Sequence, residues 1–151
     1  AAAGYVVEAP LAEGSLDDTE TPHLALVINV GQIRVVGAGR SADERQRVRA
    51  QLLGPEGLDA ERFSRIVYHS LTIDRIEAGV WLVEGELGMR AQFLPLNVRA
   101  VRRGDRFTGT TTVSPTDFGI PPMRIAGVST PVDREVRVDF DIVLEAPTPI
   151  Q

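Results

Sequence analysis

Nine residues near the end of the chain constrain the fold most. From Val136 to Leu144 the sequence alternates, with Val136, Val138, Phe140, Ile142 and Leu144 on one face. Arg137, Asp139 and Asp141 fall on the other, and Val143 is the one break. Period-two alternation of this length is the pattern of a strand with one wet and one buried face. Upstream lies a proline-marked corner, Asp117, Phe118, Gly119, Ile120, Pro121 and Pro122. Gly119 permits backbone angles denied to other residues, and Pro122 holds the residue before it extended. The segment from Thr112 to Ala146 therefore reads as a strand, a corner that buries Phe118, a loop, and a long amphipathic strand.

The rest of the chain repeats this style. Tyr5 to Leu11 reads as a short strand, and the acidic stretch Ser15 to Pro22 as a loop. Leu24 to Val36 reads as extended, with Leu24, Leu26, Ile28 and Val30 on one face and a bend at Gly31. Ser41 is a good N-cap with Glu44 three residues on, so a helix is expected over Ala42 to Leu53, stopped by Gly54 and Pro55. Its apolar stripe is thin: Val48 and Leu52, flanked by Leu53. Such a helix lies on a surface or plugs an opening.

From Arg65 onward everything reads as β. Arg65 to Ile76 makes one long strand or two. In Val80 to Met89, Trp81, Val83, Gly85, Leu87 and Met89 face one way, opposite Glu84 and Glu86. Leu96, Val98 and Ala100 align, as do Phe107, Gly109, Thr111 and Val113, across a turn at Arg103, Gly104 and Asp105. Seven strands with hairpin turns suggest a sandwich or barrel.

A chain of 151 residues favours one domain, here residues 1–151, large enough to need no staples. Without cysteine, disulfides, thiol catalysis and cysteine-ligated metals are excluded. All sixteen basic residues are arginine, and the net charge of −5 argues against a nucleic-acid partner. No apolar run approaches a membrane span.

Few residues invite chemistry. Val35 to Ala42, with Gly37 and Gly39, mimics a dinucleotide fingerprint, but that motif needs a parallel βαβ unit with its helix packed on the sheet. Parallel neighbours for the preceding strand would rescue it, and antiparallel ones end it. His23 and His69 are the only histidines and have no partner at metal-ligand spacing, so no metal is expected. Ser70, His69 and Asp74 lack a nucleophile elbow, and no catalytic residue is assigned. Asp139 and Asp141 read as solvated strand positions beside Arg137. Arg99, Arg102, Arg103 and Arg106 cluster at one hairpin, as a solvated turn or as a cationic rim that meets a phosphate or an anionic membrane surface. Trp81, Met89, Phe93, Phe107, Phe118 and Phe140 are the large apolar residues. An eight-stranded barrel is either just filled by such side chains or holds one small ligand.

Three stretches together resemble a known family. Thr116, Asp117, Phe118, Gly119 and Ile120, followed by Asp133, Glu135, Val136, Val138 and Phe140, are similar to the closing segment of the YceI-like family. Phe63, Ile66, Tyr68 and Ser70 resemble its "FP-x-I-x-F-x-S" stretch, and Gly85, Leu87 and Pro95 its "G-x-L … G-x-x-x-P-V" stretch. Ser64, Gly88 and Ala91 depart from the family's proline, threonine and glycine. The likeness is good over residues 57–146.

The resemblance implies a mainly β fold, an antiparallel lipocalin-like β-barrel with one amphipathic helix. It implies a non-enzymatic carrier or sequestering protein for an isoprenoid or other long-chain lipid, periplasmic or secreted, with no cofactor. The cavity lining would be Leu26, Ile28, Tyr68, Trp81, Val83, Leu87, Met89, Leu96, Val98, Phe107, Phe118, Val138 and Phe140. An interaction module with a filled core is the alternative, and a dinucleotide-binding enzyme the third reading. The family's barrel has eight strands, and its first would precede Tyr5, where Ala1 to Gly4 stand. The expectation is therefore two unpaired edges, one of them the Tyr5 to Leu11 strand, covered by a homodimer, a strand from another chain or the helix.

Overall fold

A computed structural model of the chain describes residues 6–17, 21–36, 41–55, 57–120 and 136–143. They form nine strands and one α-helix: β1 (Val6–Glu8), β2 (Glu13–Asp17), β3 (His23–Asn29), β4 (Arg34–Val36), α1 (Ala42–Leu53), β5 (Arg65–Glu77), β6 (Val80–Met89), β7 (Gln92–Arg103), β8 (Arg106–Val113) and β9 (Val136–Val143). Seven strands make one sheet in the order β2-β3-β5-β6-β7-β8-β9, antiparallel throughout and curled into a half-barrel. β1 and β4 pair separately as an antiparallel ribbon.

The fold is the mainly β, lipocalin-like architecture expected, and three local readings change. The acidic Glu13–Asp17 stretch is a strand, not a loop. Of its five residues only Leu16 is even partly buried, so its pairing with β3 comes from backbone groups that its polar composition does not reveal. The Leu24 to Val36 run bends where Gly31 was expected to bend it, but the bend is a 3₁₀ turn at Val30–Gln32 that divides the run into two strands and plants Val30 in the core at 1% exposure. The sheet edges among the described residues are β2 and β9. The Tyr5 to Leu11 segment is not an edge of that sheet, because β1 is taken up by β4.

The helix has the expected bounds for the expected reason. Ser41 Oγ accepts the Glu44 N–H at 3.1 Å, and the helix ends at Gly54. Its last carbonyls are met by the chain that follows: Leu58 N–H donates to Leu52 O at 2.7 Å, and Ala60 N–H to Leu53 O at 3.0 Å. Val48 is buried, and Leu52 and Leu53 pack against Val30, Ile33, Leu58, Met89, Phe118 and Ile120. Arg49 donates to the carbonyls of Ile33 (2.9 Å) and Gly31 (2.7 Å), which ties the helix to the 3₁₀ turn. It thus lies over the end of the half-barrel where β3, β6 and β8 terminate.

The expected corner is also there. Pro115–Phe118 forms a 3₁₀ turn, Gly119 takes the left-handed conformation at φ 80°, and Phe118 is 4% exposed. Pro121 and Pro122 lie outside the described residues.

The ladders differ in length. β6 and β7 share ten residue pairs, and β8 and β9 share eight. β7 and β8 share four, from Ala100↔Gly109 to Arg103↔Arg106, and then diverge.

Candidate functional site

Register carries one face around the half-barrel. Leu26 stands opposite Tyr68, Tyr68 opposite Leu87, and Leu87 opposite Leu94. Trp81 stands opposite Ala100, Ala100 opposite Gly109, and Gly109 opposite Phe140. Buried residues alternate with exposed ones along β6, so Trp81, Val83, Gly85 and Met89 mark the inner face.

The inner face has three zones. At the helix-covered end, Met89 and Phe118 are buried among Val30, Ile33 and Leu58, with Leu87 packed against them. At the opposite end, Trp81, Ala100 and Phe107 are buried together, with Phe140, Ile142, Ile73 and Leu16 packed around them. Trp81 and Phe107 meet edge to face, with centroids 5.0 Å apart. Between these ends, Leu24, Leu26, Ile28, Leu96, Val98 and Phe140 are half-buried, and Val138 is 37% exposed. The inner face is therefore apolar along its length and incompletely covered in the middle.

Tyr68 crosses this middle zone. Its ring passes over Gly85, where a Cβ would stand 2.5 Å from the tyrosine oxygen, and its hydroxyl donates to Leu96 O at 2.9 Å. Burial pushes the phenol up to about 12 from 10. The unfolded chain thus gives up this proton first as pH rises past 10, and stability falls across pH 10 to 12. Tyr68→Phe is expected to cost about 1 kcal/mol at neutral pH, from the lost hydrogen bond. It should also flatten that alkaline decline, as urea titrations at pH 7, 10 and 11 will check.

Ser70, His69 and Asp74 do not assemble into a triad. Ser70 faces inward, and its Oγ accepts the Leu24 N–H at 2.8 Å. His69 lies on the outer face, 3.7 Å from Glu86, so the two neighbours point apart. Gly37 and Gly39 lie outside the described residues, but the strand before them, β4, pairs antiparallel with β1, which ends the dinucleotide reading. Asp139 accepts from Thr110 (2.8 Å) and Arg137 (3.0 Å) on the outer face, and these two bonds hold its carboxyl below the usual range. Among the described residues no group of three or more His, Asp or Glu could hold a metal.

Three placements were not drawn from the sequence. Phe93, grouped above with the core aromatics, is on the outer face and 53% exposed, because its partner there is Gly88 rather than an inward residue. It lines a shallow outer cavity of about 280 Å³ with Phe63 and Val67. The arginine hairpin divides: Arg99 pairs with Glu77 (3.7 Å) and Arg106 with Asp141 (3.4 Å) outside, but Arg102 lies on the inner face over Trp81 and Phe107. Arg75, which the sequence did not single out, lies over Trp81 at 4.9 Å. Two irregularities in β5, between Ser70 and Thr72 and between Arg75 and Glu77, turn Arg75 inward and then return Glu77 to the outside. The interrupted alternation of Leu71 and Thr72 is the trace they leave in the sequence.

A family model for the YceI-like domain matches residues 7–144. Among solved structures, Burkholderia cenocepacia BcnA superposes with a TM-score of 0.67 at 16% identity, over 94% of this chain and 84% of that one. A Campylobacter jejuni YceI protein superposes with a TM-score of 0.69 at 11% identity, over 95% of this chain and 87% of that one. No curated protein matches the chain.

Proposed function

This chain belongs to the YceI-like family, and from that membership we propose that its half-barrel binds a long apolar lipid, an isoprenoid chain above all. It would carry or sequester the lipid without chemically changing it, in the periplasm or outside the cell. The observation that carries this reading is the incompletely covered apolar inner face, with Leu26, Ile28, Leu96 and Val98 half-buried and Val138 at 37% exposure. Such a surface favours a ligand that completes its burial, at about 0.8 kcal/mol per CH₂ removed from water. Few polar side chains share that zone, so recognition of the chain is by shape and length. Among the described residues no helix is long and apolar enough to cross a membrane.

The expected result is that solvent extraction of the purified protein returns a lipid by mass spectrometry. Stripped protein should take up an isoprenoid alcohol with a change in emission from Trp81, the chain's only tryptophan. No extractable lipid and no uptake would leave the filled-core interaction module as the better account.

A further inference from the structure

The shallow cavity of about 280 Å³ opens on the outer face of the sheet, away from the apolar inner face. Phe63 and Phe93 line it, with Val67, Gly88, Ala91 and Arg65. Register places Val67, Gly88 and Phe93 side by side on neighbouring strands. Gly88 makes room for the Phe93 ring, since a Cβ there would stand 2.5 Å from that ring and 2.9 Å from Val67. Phe93 nevertheless stays 53% exposed, and Phe63 is half-buried.

Two features set this cavity apart from an ordinary dent in the surface. The first is the turn at its edge. Met89 pairs with Gln92, so Arg90 and Ala91 form a two-residue hairpin, and both take left-handed backbone angles, φ 53° and φ 61°. Such a turn favours Asn-Gly, because a Cβ crowds the following carbonyl there. Ala91 stands where the YceI-like pattern has glycine, and it is part of the cavity wall. Backbone strain kept beside a cavity points to a use for the residue that bears it. The second feature is Arg65. It is exposed at the rim, and among the described residues no carboxylate pairs with it. Its neighbour Arg62 is held by Asp59 at 3.6 Å and lies over Phe63 at 5.2 Å, and Glu86, the next carboxylate along β6, meets His69 at 3.7 Å.

We infer that this outer cavity binds a small aromatic carboxylate. The ring of such a ligand lies against Phe63 and Phe93 above Gly88, where offset and edge-to-face contacts suit it. Its carboxylate takes the guanidinium fork of Arg65. The cavity has the volume of about nine waters, room for one or two fused rings and too little for a long lipid. It lies across the sheet from the apolar inner face, so it stands or falls independently of the lipid-binding reading.

The test adds naphthoate, and its uncharged counterpart naphthalenemethanol, to the isotope-labelled full chain and follows amide shifts. Naphthoate is expected to bind at roughly 1 mM or tighter, the range of so small a ligand. It should move the amides of Gly88, Ala91 and Phe93 and leave the Trp81 indole, on the other face, unmoved. The alcohol should bind about tenfold more weakly, the scale of a charge-assisted hydrogen bond, and Arg65→Gln should bring naphthoate down to its level. Ala91→Gly should separate strain from binding: the melting temperature rises by about 2–4 °C while naphthoate binds about threefold more weakly. Equal binding of acid and alcohol by the wild type overturns the inference, and this arm needs no variant to fold. So does a preference for the acid that survives Arg65→Gln, or an Ala91→Gly protein that gains stability without losing affinity. Shifts centred on Trp81, or none at about 10 mM ligand, also overturn the outer site.

Discussion

Gly85→Ala is expected to destabilise the protein by about 3 kcal/mol, the upper range for overpacking a core. The added Cβ would stand 2.5 Å from His69 O and 2.5 Å from the Tyr68 oxygen. The carbonyl belongs to a residue paired with Glu86 in the β5–β6 ladder, and Tyr68 cannot retreat without leaving Leu96 O. Neither neighbour is the loose end of a flexible chain. Gly31→Ala is the control, since its Cβ would meet nothing within 4 Å, and a change within about 0.5 kcal/mol is expected there. Urea midpoints with unchanged slopes would measure both. If the two substitutions cost the same, Tyr68 does not lie across the sheet as described.

Trp81→Ala should cost about 3–5 kcal/mol. Trp81 is 5% exposed, meets Phe107 edge to face, and carries two guanidinium groups on its ring, so truncation opens a cavity, removes the ring under Arg75 and leaves Arg102 with Phe107 alone. Trp81→Phe keeps part of the ring and should recover about half of the loss. Phe93→Ala, one strand away and 53% exposed, should cost under about 1 kcal/mol. A scan in which Phe93 proves the costlier residue would reverse the inner and outer faces of β6 and β7, since a one-residue slip in register turns every side chain over.

These substitutions mark how far the sequence could be read. The inner face of β6 was visible because Trp81, Val83, Leu87 and Met89 alternate without interruption against Glu84 and Glu86. The helix was visible because Ser41, Glu44, Gly54 and Pro55 are local signals that depend on no partner strand. β2 was not visible, because an edge strand with a single inward apolar residue looks like any acidic loop. The break of Leu24 to Val36 was visible only as a bend at Gly31: Val30 continues the alternation, and the 3₁₀ turn that separates the two strands carries no stronger local signal. Arg75 was hidden for a different reason. Its direction follows from two irregularities of register, and periodicity carries a face correctly only as far as the next one. Tyr68 and Val98 could be assigned a face from alternation, but that Tyr68 passes over Gly85 depends on a missing side chain on the strand that lies between the tyrosine and Leu96.

The short β7–β8 junction divides the sheet's cooperativity. β8 and β9 hold each other by eight pairs and hold β7 by four. Amide protons along β5, β6 and β7 sit within long ladders on sequence neighbours and exchange with solvent only in the deeper openings. The β8–β9 pair can part from that unit by giving up four backbone pairs and the packing of Phe107, Phe140 and Ile142 on Trp81 and Ala100, while its own ladder stays intact. Its opening is expected to cost less than unfolding the whole sheet, so amide protons of β8 and β9 should exchange ahead of those of β5 and β6.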